Sequence, residues 1–309
     1  MKELEYLNII NKTLGDASLL GDDCAYLKEF DLCITQDSLI EGVHFLLETT
    51  DAYTLAQKAV NVNLSDLAAA GAKPLYITIS LSFPQSIDNS FIENFYKGIE
   101  TSVSKYGVKV AGGDLTGADK FFISICAIGK KYNNVNVSRR NAKAGDIIVL
   151  TGPHGSSAGG LKLLLQGKKE PKTLINKHLL PSARVEESEL IMQCAFECKL
   201  KNIAMTDSSD GLGDALYKLS TGCGYLFDID FESIPADEEL KQTFPDEWKE
   251  LLMWGGEDFE LVFCIDKFAF EKLDKTKFFK IGTVSNKPIT REIAQKIEQE
   301  FENKIFKHF

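Results

Sequence analysis

The sequence predicts an α+β chain of two domains. Three observations carry that expectation. Segments with strand and helix patterning alternate along the chain. The length, 309 residues, suits two domains of ordinary size. One polar stretch, NNVNVSRRNAKAGD, interrupts the alternation and sets the expected boundary near residue 140, with domains at 1–140 and 141–309.

The elements follow in order. MKELEYLNII alternates charged and apolar residues, so it reads as an amphipathic helix and lacks the apolar run of a signal peptide. Phe30 to Gln36 reads as a strand. Ala52 to Gly71 reads as a helix that stops at a glycine before Lys73-Pro74. Leu75 to Phe83 is rich in β-formers and reads as a strand. Ile92, Phe95, Tyr96, Ile99 and Val103 keep helical spacing. Val108 to Ala111 and Phe121 to Ile128 are two more expected strands. Past the boundary comes a strand from Ile147 to Thr151, then the glycine-rich GPHGSSAGG and a helix from about Ser157. A longer helix is expected from Ala183 to Lys199. A strand from Ile203 to Thr206 runs into DSSDGLGDAL, which reads as strand, turn and helix, and Phe259 to Ile265 is a further strand.

Composition narrows the function. Hydrophobic residues make up 44% and charged residues 26%, a globular balance. No 18-residue apolar stretch occurs, so no membrane partner is expected and the cytoplasm is the default location. The net charge of -10, without a basic run, argues against nucleic acid as a partner. Seven cysteines are scattered, and Cys194-x3-Cys198 lacks the second pair that a zinc site needs. Buried reduced thiols are the better reading. There is no H-E-x-x-H, no Walker motif, no kinase H-R-D signature and no G-x-S-x-G elbow.

Acidic residues instead gather at expected turns and element ends: Asp22 and Asp23 in GDDCA, Asp37 in TQDSL, Asp66 in NLSDLAAAG, Asp114 in AGGDLTG, Asp207 and Asp210 in TDSSDGLGD, Glu257 and Asp258 in WGGEDFEL. Carboxylates two or three residues apart can converge on one cation, and magnesium takes hard oxygen ligands. Aspartate also favours turns and helix caps for local reasons alone. For any single group the local reading is better. For Asp22-Asp23 and Asp207-x-x-Asp210, flanked by Gly and Ser, the two readings balance. Gly152 to Gly160 offers backbone N–H groups to a phosphate, though a tight strand-to-helix connection is the better reading. Arg139-Arg140 is either a solvated linker or a phosphate clamp.

Taken in order, GDDCA, TQDSLIEGVHF, KAVNVNLSDLAAAGAKP, GGDLTG, SRRNAKAGD, TGPHGSSAGGL, TDSSDGL, GGEDFEL and the terminal HF resemble the thiamine-monophosphate kinase family, from residue 21 to 309. The resemblance implies an aminoimidazole ribonucleotide synthetase-like fold. In it an N-terminal α/β sandwich contributes to a barrel between two copies of a homodimer, and a C-terminal α/β domain follows. It implies ATP as co-substrate, thiamine monophosphate as acceptor and several magnesium ions. Metal roles are implied for Asp23, Thr35, Gln36 (through its backbone), Asp37, Asp66, Asp207 and Asp210. ATP contacts are implied for Gly113, Asp114, Arg140 and Ser209. Acceptor contacts are implied for His44, Glu257 and an aromatic residue near the C-terminus, Phe301 or Phe306. Three features depart from the family pattern: Gln36 replaces a small hydroxyl residue, Asn141 replaces a glycine, and the tail reads KIFKHF. The competing expectations are another ATP-dependent enzyme of the same superfamily, or a non-catalytic nucleotide- or metal-binding regulator.

Overall fold

A computed structural model describes residues 2–290. In chain order it runs α1 (Lys2–Thr13), β1 (Ala25–Leu27), β2 (Leu32–Ile40), α2 (Ala52–Ala69), β3 (Ala72–Phe83), α3 (Asn89–Tyr106), β4 (Lys109–Gly117), β5 (Phe122–Lys131) and β6 (Asn136–Val137). It continues with β7 (Ile147–Leu150), α4 (Ser156–Leu165), α5 (Lys172–Leu179), α6 (Val185–Glu197), β8 (Asn202–Asp207), α7 (Leu212–Cys223), β9 (Tyr225–Ile229), α8 (Glu238–Thr243), α9 (Trp248–Trp254), β10 (Leu261–Ile265), α10 (Lys267–Phe270) and β11 (Phe279–Pro288). The strands make two sheets, ordered β1-β2-β5-β3-β4 and β6-β8-β10-β7-β11-β9. Neighbours are antiparallel except β3–β4 and β6–β8. Among the described residues no helix is long and apolar enough to cross a membrane.

Helix α2 joins the two sheets. It is buried on nearly every side, Leu55, Ala59, Val60, Leu64 and Leu67 completely so. A helix of that kind has to be enclosed. It packs on β2, β3 and β5 of the first sheet and on α6 and β8 of the second half. The main core therefore draws on both halves: Leu39, Ile79 and Ile125 from the first sheet, Val149, Met205 and Phe263 from the second. Strand alternation sends Ile148, Leu150 and Val262 to the opposite face of the second sheet, where α7 covers them with Leu216 and Leu219. β6, inside the polar stretch and before residue 140, already pairs with β8 of the second sheet, and the core runs on between the two sheets.

Several elements differ from the sequence reading, each for a local reason. β2 extends to Ile40 because β5 pairs with it that far, so Asp37 lies inside the strand rather than at its end. β3 begins at Ala72 and runs through Pro74; a register shift between Pro74 and Tyr76 accommodates the missing N–H. β4 continues through the glycines expected to form a turn. At Gly113 a Cβ would sit 1.8 Å from the Ile79 carbonyl oxygen, so the close approach of β3 demands glycine there. The sequence reading did not anticipate α5, β9, α8, α9 or β11. The three helices are 8, 6 and 7 residues long, too short to show a period. β11 breaks its alternation with two register shifts.

Candidate active site

Three carboxylates meet where α2 passes the end of β8. Asp23 precedes β1, Asp66 sits on α2, and Asp207 closes β8; each offers an oxygen, and these oxygens all lie within 4.8 Å of one another. The polar residues of KAVNVNLSD explain why α2 can do this. Lys58, Asn61 and Ser65, three and four positions apart, share one face of the helix. They bond Glu257, the Pro181 carbonyl and Asp207, all in the second half. Asn63 and Asp66 turn toward β2. There Asn63 Oδ1 accepts the Asp37 N–H at 2.9 Å, and Asp66 Oδ2 accepts the Thr35 hydroxyl at 2.5 Å.

The cluster is electrostatically strained. Burial raises Asp66 well above the usual carboxylate range, and the charges of Asp37, Asp207 and Asp23 add to that. Burial and Asp23 push Asp207 up to about 6. One cation answers from within: Arg139 sets Nη2 2.8 Å from Asp23 Oδ1 and donates from Nε to Thr206 Oγ1 at 3.1 Å. Burial opposes the charge of Arg139, but Asp23, Asp207 and Asp22 more than restore it. A single guanidinium among Asp23, Asp37, Asp66 and Asp207 leaves an excess of negative charge on hard oxygen donors. That donor set fits magnesium.

Beside the cluster opens a cavity of about 580 Å³. Asp37, His44, Lys58 and Asp66 line it from the first half; Ser209, Asp210 and Glu257 line it from the second. His44 Nδ1 accepts the Ile40 N–H at 3.0 Å. Ser209 donates to Asp207 Oδ1 at 3.1 Å. Asp210 pairs with Lys218 at 3.0 Å, and Lys218 also reaches Asp214 at 2.5 Å. Glu257 takes a left-handed backbone, φ 67°, and its N–H bonds the Ser209 carbonyl at 2.7 Å. Burial opposes its charge, yet Lys58, His178 and His44 hold its carboxyl below the ordinary value.

Other residues singled out in the sequence stand apart. Gln36 turns its side chain to the far face of the first sheet, where Nε2 bonds Ser124 at 3.1 Å; only its backbone remains near Asp37. Asp37, Ile125, Ile79 and Gly113 form one row across the sheet. Three strand spacings, roughly 14 Å, therefore separate Gly113 from Asp37. Asp114 lies in the next row, so it faces the outer side of the sheet, on an edge strand exposed along its whole length. Within this chain neither residue reaches the cluster. Arg140 is exposed, with Nη1 3.4 Å from Asp22 Oδ2, whereas Arg139 enters the cluster. Asp22 serves the linker turn by accepting from Ser138 Oγ and the Arg139 N–H. Phe301 and Phe306 lie outside the described residues. The sequence reading missed Lys58, His178 and Lys218: Lys58 opens the quoted KAVNVNLSD but was not singled out, and His178 and Lys218 sit on helices outside the quoted motifs.

Residues 21–130 match the family model for the N-terminal domain of AIR synthase related proteins. A thiamine-monophosphate kinase of Aquifex aeolicus is 33% identical over 317 residues, covering 99% of this chain and 98% of its own. One from Bacillus subtilis is 30% identical over 331 residues and covers 100% of both. The chain belongs to the thiamine-monophosphate kinase family. Membership extends to the three-dimensional structure. A solved family member, AaThiL complexed with AMPPCP and TMP, superposes with a TM-score of 0.86 at 32% identity, covering 100% of this chain and 98% of that one. The aminoimidazole ribonucleotide synthetase-like fold of the thiamine-monophosphate kinase family is therefore the fold of this chain.

Proposed function

We propose that the chain transfers the γ-phosphoryl group of ATP to the phosphate of thiamine monophosphate, giving ADP and thiamine diphosphate. One observation carries the reading: a crowded carboxylate cluster meets, through Asp66 and with Asp37 beside it, a cavity that both halves of the chain wall. The solved relative at 32% identity is described with an ATP analogue and TMP bound, which supports the same substrates here. In the transfer an acceptor phosphate oxygen attacks Pγ as the bond from Pγ to the β-phosphate oxygen breaks. A phosphate acceptor is anionic at neutral pH and needs no general base.

The difficulty is repulsion between two polyanions. Magnesium held by Asp23, Asp37, Asp66, Asp207 and Asp210, with Thr35 and the Gln36 backbone beside them, would supply the positive charge that bridges the phosphates. Arg139 adds a fixed guanidinium at the cluster, with Arg140 at its outer rim. Ser209 meets the nucleotide beside Asp207. His44 and Glu257 hold the acceptor in the cavity, with Phe301 or Phe306 as its aromatic contact. In this reading residues 1–140 serve nucleotide binding and dimerisation, residues 141–309 close the site, and the enzyme works in the cytoplasm. Homodimer formation through β4 accounts for its exposure, including Val110 and Leu115, at an edge that would otherwise invite pairing. It also brings Gly113 and Asp114 to the partner's nucleotide.

The test is turnover with ATP, magnesium and thiamine monophosphate, scored by product mass. Thiamine diphosphate formation that stops in EDTA supports the reading. Conversion of thiamine to its monophosphate, a different ATP-dependent product, or nucleotide binding without turnover would each replace it.

A further inference from the structure

One pairing in the cavity lies outside the phosphoryl-transfer chemistry. Lys58 rises from the middle of α2 with a side chain only 3% exposed and sets Nζ 3.0 Å from Glu257 Oε2. His178, on α5, sets Nδ1 3.2 Å from the same oxygen and 3.3 Å from Ser157 Oγ. Burial pushes His178 down to about 4, so at pH 7 it stands beside this oxygen as a neutral ring that shares a hydrogen bond with Ser157. Among the described residues both side-chain contacts fall on Oε2, and Glu257 is one of the residues that line the cavity. The Glu257 backbone is fixed as well, through its N–H on Ser209.

Charge explains why lysine belongs there. The cavity already carries Asp37, Asp66 and Asp210. An unpaired Glu257 would add a fourth anion against an acceptor whose own phosphate is anionic. Paired with Lys58 the carboxylate is neutralised locally, so it acts as an oriented acceptor of a hydrogen bond rather than as a bare charge. The same helix carries Asp66, eight residues on, about 12 Å along its axis. Helix α2 therefore spaces the phosphate end of the site from the Glu257 end.

We infer that Lys58 is a specificity-determining positioning residue: with His178 it holds Glu257 so that Oε1 accepts a hydrogen bond from a donor on the ring system of a long phosphate-monoester acceptor. This rests on the proposed function, which puts the acceptor in this cavity. The experiment is calorimetric titration of the full chain with thiamine monophosphate and, separately, with magnesium–ATP, for wild type, Lys58→Met, Lys58→Arg and His178→Asn. Lys58→Met is expected to weaken thiamine monophosphate binding about tenfold or more, the scale of one hydrogen bond to a charged group. Magnesium–ATP affinity stays within about twofold, and Lys58→Arg recovers part of the loss. His178→Asn keeps the ammonium and weakens the acceptor by a smaller factor; if Lys58→Met does not fold, this variant and Lys58→Arg decide. Unchanged acceptor affinity in the folded variants, or equal loss for both ligands, overturns the inference alone. Wild type that binds magnesium–ATP but not thiamine monophosphate overturns the proposed function and this inference with it.

Discussion

Replacing Asp207 by asparagine should stabilise the metal-free protein while abolishing its activity. Asp207 is 4% exposed, and its neighbours in the cluster are Asp23 and Asp66. Its pKa rises from 3.8 to about 6, chiefly through burial and then through Asp23. A carboxyl whose pKa is higher in the folded state binds its proton more readily there. Stability therefore falls as pH rises through the window from about 4 to about 6, and the penalty is complete above it. Two units of difference amount to about 3 kcal/mol at pH 7.5 and about 1 kcal/mol at pH 4.5. Asparagine matches the shape, removes the charge and keeps an oxygen for the Ser65 hydroxyl, now 2.6 Å from Asp207 Oδ2. Urea unfolding in EDTA at the two pH values measures the effect. The variant should exceed wild type by up to about 3 kcal/mol at pH 7.5, with the gap narrowing at pH 4.5. Magnesium should close the gap by stabilising wild type more. A variant less stable than wild type at pH 7.5 in EDTA, or a gap indifferent to pH, would refute the reasoning.

Three further outcomes are expected. Asp23→Asn, Asp37→Asn and Asp210→Asn should each lower kcat by roughly a hundredfold or more, the scale of losing one preorganised charge at a reacting centre, with far-UV circular dichroism unchanged; near-normal rates in all three would mark these aspartates as turn-formers. Arg139→Lys should lower kcat/KM more than Arg140→Lys in steady-state assays, because Arg139 alone of the two bonds Asp23 and Thr206. Gly113→Ala should disrupt the β3–β4 pairing, since its Cβ has 1.8 Å to the Ile79 oxygen, and sedimentation should then show loss of the dimer; an unchanged dimer mass would count against β4 as the interface.

Much of the site was legible because its chemistry rides on short local patterns. Asp23 and Asp207 carry Gly and Ser in their flanking sequence, and Asp66 lies within a helical run; all three converge. Asp114 looked equivalent, yet the glycine before it, Gly113, serves a close strand approach, and that depends on Ile79, far away in sequence. Which member of the Arg139-Arg140 pair enters the cluster depends on the path of the linker against Asp22, and no residue type reveals it. Lys58 lies between Gln57 and Ala59 on α2, and its partner is 199 positions away. The fold shows the same division. The long helices and paired central strands announced themselves by period. Short α5, α8 and α9, and the bulged β11, owe their conformation to what they cover.

The central claim is that Asp23, Asp66 and Asp207 join in one metal–phosphate centre. Anomalous diffraction from crystals grown with manganese, a non-hydrolysable ATP analogue and thiamine monophosphate tests it most directly. The account predicts at least one manganese ion bound by oxygens of all three carboxylates and by a nucleotide phosphate. Manganese bound to the nucleotide alone, with the three carboxylates unligated, would contradict it.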